Sequence, residues 1–135
     1  MARVIGIDHV AITVSDMEAS CAFYHDLFGA QAVNEYALDG KVLVRQIAMG
    51  GAQFSLHQSG NGVVLVARVP TVGAADICLR WGDRIESAVA LLRERGIEVI
   101  DGPTPRRTAD GLPSRSVFFY DLDRNLLELM AADPA

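Results

Sequence analysis

The chain opens with alternating hydrophobic and polar positions over residues 6–14. A period of two predicts a β-strand with one buried face, and it places His9 on the face opposite Val10. Apolar residues then recur at helical spacing over residues 17–28, and Gly29 follows as a stop signal. The first two predicted elements are therefore a strand and a helix.

Three further strands are predicted in the first half of the chain. Residues 31–36 and 42–48 are rich in strand-forming residues and flank Asp39-Gly40, a strong hairpin signal. A turn at Gly50-Gly51 then leads into a third apolar stretch at residues 53–57. The order in this half is strand, helix and three strands.

The second half repeats this pattern as an imperfect copy of the first. Three pairs of residues keep one spacing of 67 positions: His9 and Asp76, Asp16 and Asp83, and Gly29 and Gly96. Equivalent strands therefore open both halves, and each carries a side chain able to bind metal at the same place. The repeat indicates a duplicated fold whose equivalent inward-pointing positions converge.

The predicted elements of the second half are a helix at about residues 83–95 and four strands. Those strands are expected at residues 76–81, 97–100, 115–120 and 125–130. The segment Gly102-Pro-Thr-Pro-Arg-Arg107 is not expected to form a regular central strand, because its prolines lack backbone donors.

The domain organisation follows from the repeat and from the length of 135 residues. We expect a single α+β domain over residues 1–135, because a chain of this length ordinarily forms one compact core. Module 1 is predicted at about 4–58, a connection at about 59–73, and module 2 at about 74–131.

Composition and charge exclude several classes of protein. Half of the residues are hydrophobic and 21% are charged, which is typical of a folded chain. A net charge of −5 provides no basic surface for nucleic acid. No apolar run reaches the roughly 18 residues that cross a bilayer. We expect neither nucleic acid nor membrane as a partner.

The N-terminus and the cysteines favour a cytoplasmic protein. Residues 1–6 are too short and too soon charged to form a secretion signal. Cys21 lies in a helical pattern and Cys78 in a strand pattern, as buried thiols do. We therefore expect both cysteines to be reduced.

Two acidic residues are candidates for metal binding or proton transfer. Glu128 stands in the strongly apolar segment 126–130, and burying an unpaired carboxylate costs several kcal/mol. Such a group needs a cation or a donor beside it, unless the strand is an edge strand with that side chain in water. Asp76 occupies the position equivalent to His9, where it either binds a ligand or caps the preceding turn.

Three histidines limit the choice of nitrogen ligands. His9 lies on the polar face of its strand, whereas His25 lies on a helix and is expected to face solvent. His57 shares a strand face with Ser55. The repeat aligns Ser55 with Glu128, which leaves His57 about 6.6 Å further along its strand. His57 therefore binds metal by leaning back, or else has a surface or hydrogen-bonding role.

Two imidazoles and one or two carboxylates suit a divalent ion such as Zn, Ni, Fe, Mn or Co. Open positions on such an ion would let a substrate chelate through adjacent oxygens. The ion could then stabilise an enolate or activate water. A second carboxylate is able to act as the base for a proton next to a carbonyl.

At both of its ends the chain resembles the vicinal oxygen chelate superfamily. The matching segments are Asp8–Val14, Phe23-Tyr24, Leu27–Gly29 and Tyr120–Leu129. That group includes glyoxalase I, extradiol dioxygenases, fosfomycin-resistance thiol transferases and bleomycin-binding proteins. Further segments at 54–58, 72–78 and 102–106 are similar to small glyoxalase-domain-containing, lactoylglutathione-lyase-like proteins.

The resemblance implies two tandem βαβββ modules in a cupped mixed sheet, a divalent metal and a homodimer. It places the opening ligand on His9 and the closing carboxylate on Glu128. Asp76 stands where many members have histidine. Ser55 stands near the remaining ligand position, for which His57 is the expected substitute.

These observations together predict a metal-dependent, glyoxalase-like lyase or isomerase acting on a small oxygen-rich compound. The predicted metal ligands are His9, His57 and Glu128; the predicted catalytic residues are Glu128 and Asp76; the predicted substrate-binding residues are Arg106 and Arg107. One alternative is a ring-cleaving extradiol dioxygenase. The other is a metal-free protein that binds a small molecule and confers resistance.

Overall fold

The computed structural model describes residues 2–132, which fall into two compact units. The first unit extends to Gly73 and the second begins at Ala74. Both units have the element order strand, helix and three strands. The predicted α+β class and the two tandem βαβββ modules are therefore confirmed.

The first unit contains one helix and a four-stranded mixed sheet. Its elements are β1 (His9–Val14), α1 (Met17–Phe28), β2 (Ala32–Leu38), β3 (Lys41–Met49) and β4 (Ala52–Gln58). The strand order is β1-β4-β3-β2, in which β1 and β4 run parallel and the other neighbours antiparallel.

Local signals in the sequence account for the boundaries of these elements. Asp16 caps α1 by accepting a hydrogen bond from the Ala19 amide at 3.1 Å. Gly29 ends the helix in the left-handed region, at φ 68°. Asp39 and Gly40, at φ 52° and 76°, form the tight turn between β2 and β3. The predicted helix and hairpin are confirmed.

The second unit has the same plan. Its elements are β5 (Asp76–Arg80), α2 (Ile85–Glu94), β6 (Asp101–Arg107), β7 (Pro113–Tyr120) and β8 (Leu126–Ala131). The strand order is β5-β8-β7-β6, with β5 and β8 parallel.

One predicted strand is wrong. Residues 97–100 are irregular, and the strand begins instead at Asp101 and contains Pro103 and Pro105. This strand tolerates proline because it lies at the edge of the sheet, where its outer side needs no donors. Its register shifts between Asp101 and Thr104, so it is not a regular central strand, as expected.

Each helix covers one face of its own sheet. In the first unit, Tyr24 of α1 is almost fully buried and meets the Phe54 ring edge-to-face at 5.5 Å. In the second unit, Leu92 of α2 is buried, as are Phe119 and Leu127 on the sheet. The opposite face of each sheet is therefore available for functional side chains.

Two further findings concern the membrane and the thiols. Over residues 2–132 no helix is both long and apolar enough to span a bilayer. Cys21 and Cys78 are both free thiols; Cys21 is half-buried and Cys78 is exposed.

Candidate active site

His9 and His57 lie on the same face of the first unit's sheet, opposite α1. The parallel pairing of β1 with β4 sets His9 beside Gln53 and Thr13 beside His57. Residues of one parity share a face, so Thr13 and Ser55 point the same way as the two histidines. The histidines stand four positions apart along the strands, which corresponds to about 13 Å between their backbones.

Both imidazoles are suited to bind a ligand. Burial lowers the pKa of His57, and the charge of His9 lowers it further. His57 is therefore neutral at pH 7, the form that binds metal. His9 Nδ1 lies 2.7 Å from the Asp8 carboxylate, a contact that orients the ring and leaves Nε2 for a ligand.

Asp76 and Glu128 share one face of the second unit's sheet. Cys78 of β5 pairs with Glu128 of β8, and Phe118 of β7 flanks Glu128 on the other side. Asp76 lies two residues before Cys78 on the same face.

Unpartnered buried polar atoms are concentrated on this face. Within residues 2–132, the buried side-chain oxygens without a hydrogen-bond partner are Ser114 Oγ, Ser116 Oγ and Glu128 Oε2. Phe118 pairs with Glu128, so the two share a face of the sheet. Ser114 and Ser116 precede Phe118 by four and two positions along β7 and therefore lie on that face as well. A buried carboxylate oxygen without a donor is costly, so the Glu128 position fits a cation.

The thiol of Cys78 reports on the same environment. Partial burial of the sulfur raises its pKa to about 11, and the negative charge and hydrogen bond of Glu128 contribute. Cys78 is therefore protonated at neutral pH.

The pairing registers support the alignment of the two modules. Ser55 of β4 lies beside Ala11, and Glu128 of β8 lies beside Cys78, which are equivalent positions. His57 is two residues beyond the position that corresponds to Glu128, as the repeat predicts.

The four predicted residues divide between the units. The first unit supplies the two imidazoles and the second supplies the two carboxylates. In the part of the chain that the structure describes, no three His, Cys, Asp or Glu side chains form a group able to hold a metal ion. Imidazoles and carboxylates are both ordinary ligands of divalent metals. That the two imidazoles and the carboxylates bind one ion together stays a prediction.

The two predicted substrate-binding arginines differ in their surroundings. Arg106 pairs with Ser114, which places it on the Glu128 face, and its guanidinium lies 5.4 Å from the centre of the Phe118 ring. Arg107 instead donates a hydrogen bond to the Gly111 carbonyl at 3.0 Å, within the β6–β7 turn.

The first unit also contains a cavity that the sequence reasoning missed. It is partly open to solvent and has a volume of about 150 Å³, and its lining includes Thr13, His57, Ser59, Val63, Val66 and Pro70. The signal for it is the glycine-rich segment 59–62, which begins two residues after His57 and from which the sequence predicts only a connection.

The duplicated βαβββ plan and the polar sheet faces define the class of protein. A family model of the Glyoxalase/Bleomycin resistance protein/Dioxygenase superfamily matches residues 6–129, and the chain belongs to this superfamily. The resemblance drawn from the sequence motifs is thereby confirmed.

Particular relatives span nearly the whole chain. The chain is 35% identical over 129 residues to the glyoxalase domain-containing protein RDO1 of Mycosarcoma maydis, and the match covers 96% of this chain and 69% of that protein. It is 32% identical to virulence protein STM3117 of Salmonella typhimurium, covering 91% and 81% of the two chains. The crystal structure of STM3117 superposes with a TM-score of 0.84 at 29% identity, covering 96% of this chain and 98% of that one.

An enzyme is also among the relatives. The ethylmalonyl-CoA/methylmalonyl-CoA epimerase of Cereibacter sphaeroides is 30% identical, covering 91% of this chain and 95% of the epimerase. The superfamily thus includes enzymes as well as resistance proteins.

Proposed function

We propose that this protein is a metal-dependent, glyoxalase-like lyase or isomerase that acts on a small oxygen-rich compound. The observation that carries the proposal is that each unit has possible metal ligands on the sheet face opposite its helix. In the first unit these are the neutral His57 together with His9, and in the second unit Glu128 with its unpartnered buried oxygen.

His9, His57 and Glu128 would hold the metal, which when bound supplies Lewis-acid stabilisation of a developing enolate. Asp76 and Glu128 are the residues that accept and return the proton next to the substrate carbonyl. The epimerase relative supports a proton-transfer reaction, because inversion next to a carbonyl requires one.

Arg106 would bind an anionic group of the substrate. Its guanidinium is exposed, lies on the Glu128 face and is oriented by the Phe118 ring. Arg107 was predicted to share this role, but its hydrogen bond to Gly111 favours a role in the turn.

The protein is further proposed to be a cytoplasmic homodimer. Two free thiols suit a reducing compartment. Val4, Ile5 and Leu65 are each about nine-tenths exposed, and apolar residues at such exposure favour contact with a second copy.

Metal-free binding of a small molecule is the second candidate function. It is favoured by the lack of a three-donor group within residues 2–132 and by the cavity beside His57. In that case the sheet faces would hold a metabolite or drug without converting it.

Metal analysis of protein purified without added metal distinguishes these functions. We expect a stoichiometric divalent ion in the wild type, its loss in His9→Ala and His57→Ala, and its retention in the control His25→Gln. No metal in any of these proteins would refute the enzyme proposal and favour sequestration. Turnover of a hemithioacetal by the metal-loaded protein would support the lyase, whereas oxygen uptake with catechols would identify a dioxygenase.

A further inference from the structure

The cavity of the first unit has the size of a small organic ligand. Its 150 Å³ lie at the ends of β1 and β4, where Thr13 pairs with His57. A void of this order accommodates a molecule of about six heavy atoms.

Three polar side chains of the lining have hydrogen-bonding capacity to spare. The hydroxyls of Thr13 and Ser59 and the ring of His57 form no hydrogen bond with any other residue in the described range 2–132. A hydroxyl both donates and accepts, and a neutral imidazole does the same. These groups are therefore able to bind a ligand hydroxyl or carbonyl.

The other polar side chains of the lining are fully engaged and fix the walls. Gln58 accepts from the Met17 amide at 2.9 Å and donates to the Ser15 carbonyl at 2.8 Å. Asn61 donates to the Leu43 carbonyl and accepts from the Val63 amide, both at 2.9 Å. A ligand would meet a preformed surface, which lowers the entropic cost of binding.

Charge decides the kind of ligand. The lining contains no Asp, Glu, Lys or Arg side chain. A carboxylate or ammonium group would find no counter-ion there, whereas a hydroxyl or carbonyl would find hydrogen-bonding partners. Val63, Val66 and Pro70 supply apolar contact instead.

We propose that this cavity binds a short uncharged aldehyde, ketone or polyol, with its oxygens on Thr13, Ser59 and His57 and its carbon chain on Val63 and Val66. The ligand of this cavity is distinct from the anionic group proposed to bind Arg106, and its binding does not require the proposed enzyme activity. Binding itself depends only on residues of the first unit.

The test uses the full chain after removal of metal with a chelator, and amide chemical shifts as the readout. Hydroxyacetone, an uncharged hydroxyketone, should shift the amides of Thr13, His57 and Ser59 and saturate in the millimolar range. Lactate, an anion of similar size, should leave them unchanged. Thr13→Val, which keeps the shape and removes one hydroxyl, should weaken hydroxyacetone binding roughly three- to tenfold.

A matched pair of loop variants controls for nonspecific effects. Val66→Phe fills the cavity and should abolish binding, whereas Val64→Phe adds the same ring at a position that is 94% exposed and should leave binding unchanged. Equal binding of lactate and hydroxyacetone, no saturable shifts, or equal losses in the two variants would overturn the inference.

The two proposals fail separately. Hydroxyacetone binding in a protein that takes up no metal would refute the enzyme proposal and leave the cavity ligand standing. Stoichiometric metal without hydroxyacetone binding would refute the cavity ligand and leave the enzyme proposal intact.

Discussion

At the scale of single residues, the surroundings of Glu128 come from the strands that flank β8. Glu128 interrupts an apolar strand, and one of its carboxylate oxygens is buried without a hydrogen-bond partner. The sequence did not reveal that Cys78 lies beside it, because strand pairing between residues 50 positions apart leaves no local signal. Such partners become known only when the register is known.

Alkylation of Cys78 should be unusually slow for an exposed thiol. A pKa of about 11, against 9.0 for an ordinary thiol, lowers the thiolate fraction at pH 8 and the rate with iodoacetamide by roughly ten- to a hundredfold. Glu128→Gln removes a charge that raises this pKa, so it should accelerate labelling. Peptide mass spectrometry measures both rates; labelling of the wild type as fast as a free cysteine would contradict the prediction.

Ser116→Ala should leave the free energy of unfolding unchanged or raise it by up to about 1 kcal/mol. The Ser116 hydroxyl is fully buried and unpartnered, so its removal relieves a desolvation cost. Urea denaturation gives the value. The control Ser87→Ala should lose about 1 kcal/mol, because that hydroxyl bonds the Trp81 indole and the Arg84 carbonyl. A comparable loss in Ser116→Ala would show that its hydroxyl has a partner.

Acidification should destabilise the protein through His57. Its pKa in the folded state lies below the ordinary 6.5, so the unfolded chain binds the proton more readily. The free energy of unfolding should therefore fall as the pH drops through 6.5 and level off below the lowered pKa. Urea titrations at pH 7.5 and 5.5 give the free energy of unfolding at each pH. His57→Gln should reduce the difference between the two values, and His25→Gln should not. The same difference in the wild type and in His57→Gln would refute the assignment.

At the scale of elements, periodicity predicted both helices and most strands, and it failed where strand and proline coincide. Residues 97–100 have the composition of a strand but are irregular, and the strand lies over Asp101–Arg107. Propensity cannot distinguish an edge strand, which accepts proline, from a loop. The neighbouring strand determines the outcome.

Gly102→Ala should destabilise the second unit by about 3 kcal/mol or more. Gly102 has φ 100°, and a Cβ there would collide with the Ser116 carbonyl oxygen of β7. Gly111→Ala is the matched control, because its φ of 87° is also strained but a Cβ meets nothing. Thermal unfolding should show a clearly smaller loss for Gly111→Ala, and equal losses would exclude the collision as the cause.

At the scale of the whole molecule, the repeat made the fold predictable. A constant spacing of 67 residues fixed two equivalent modules and the faces of their first strands. The candidate site was predictable only in part. Sequence periodicity assigns a side chain to a face but contains no distance between elements that are far apart in the chain. The cavity escaped prediction for the same reason, because its lining comes from β1, β4 and residues 59–70.

Gln58 lines the cavity and is hydrogen-bonded to the start of α1. It follows His57 directly and holds both the Met17 amide and the Ser15 carbonyl. A molecule bound beside His57 should therefore reduce the fraying of the first turn of α1. Deuterium uptake at the Met17 amide should slow when hydroxyacetone is present, and Gln58→Ala should abolish that protection; unchanged uptake would show that the helix start does not sense the cavity.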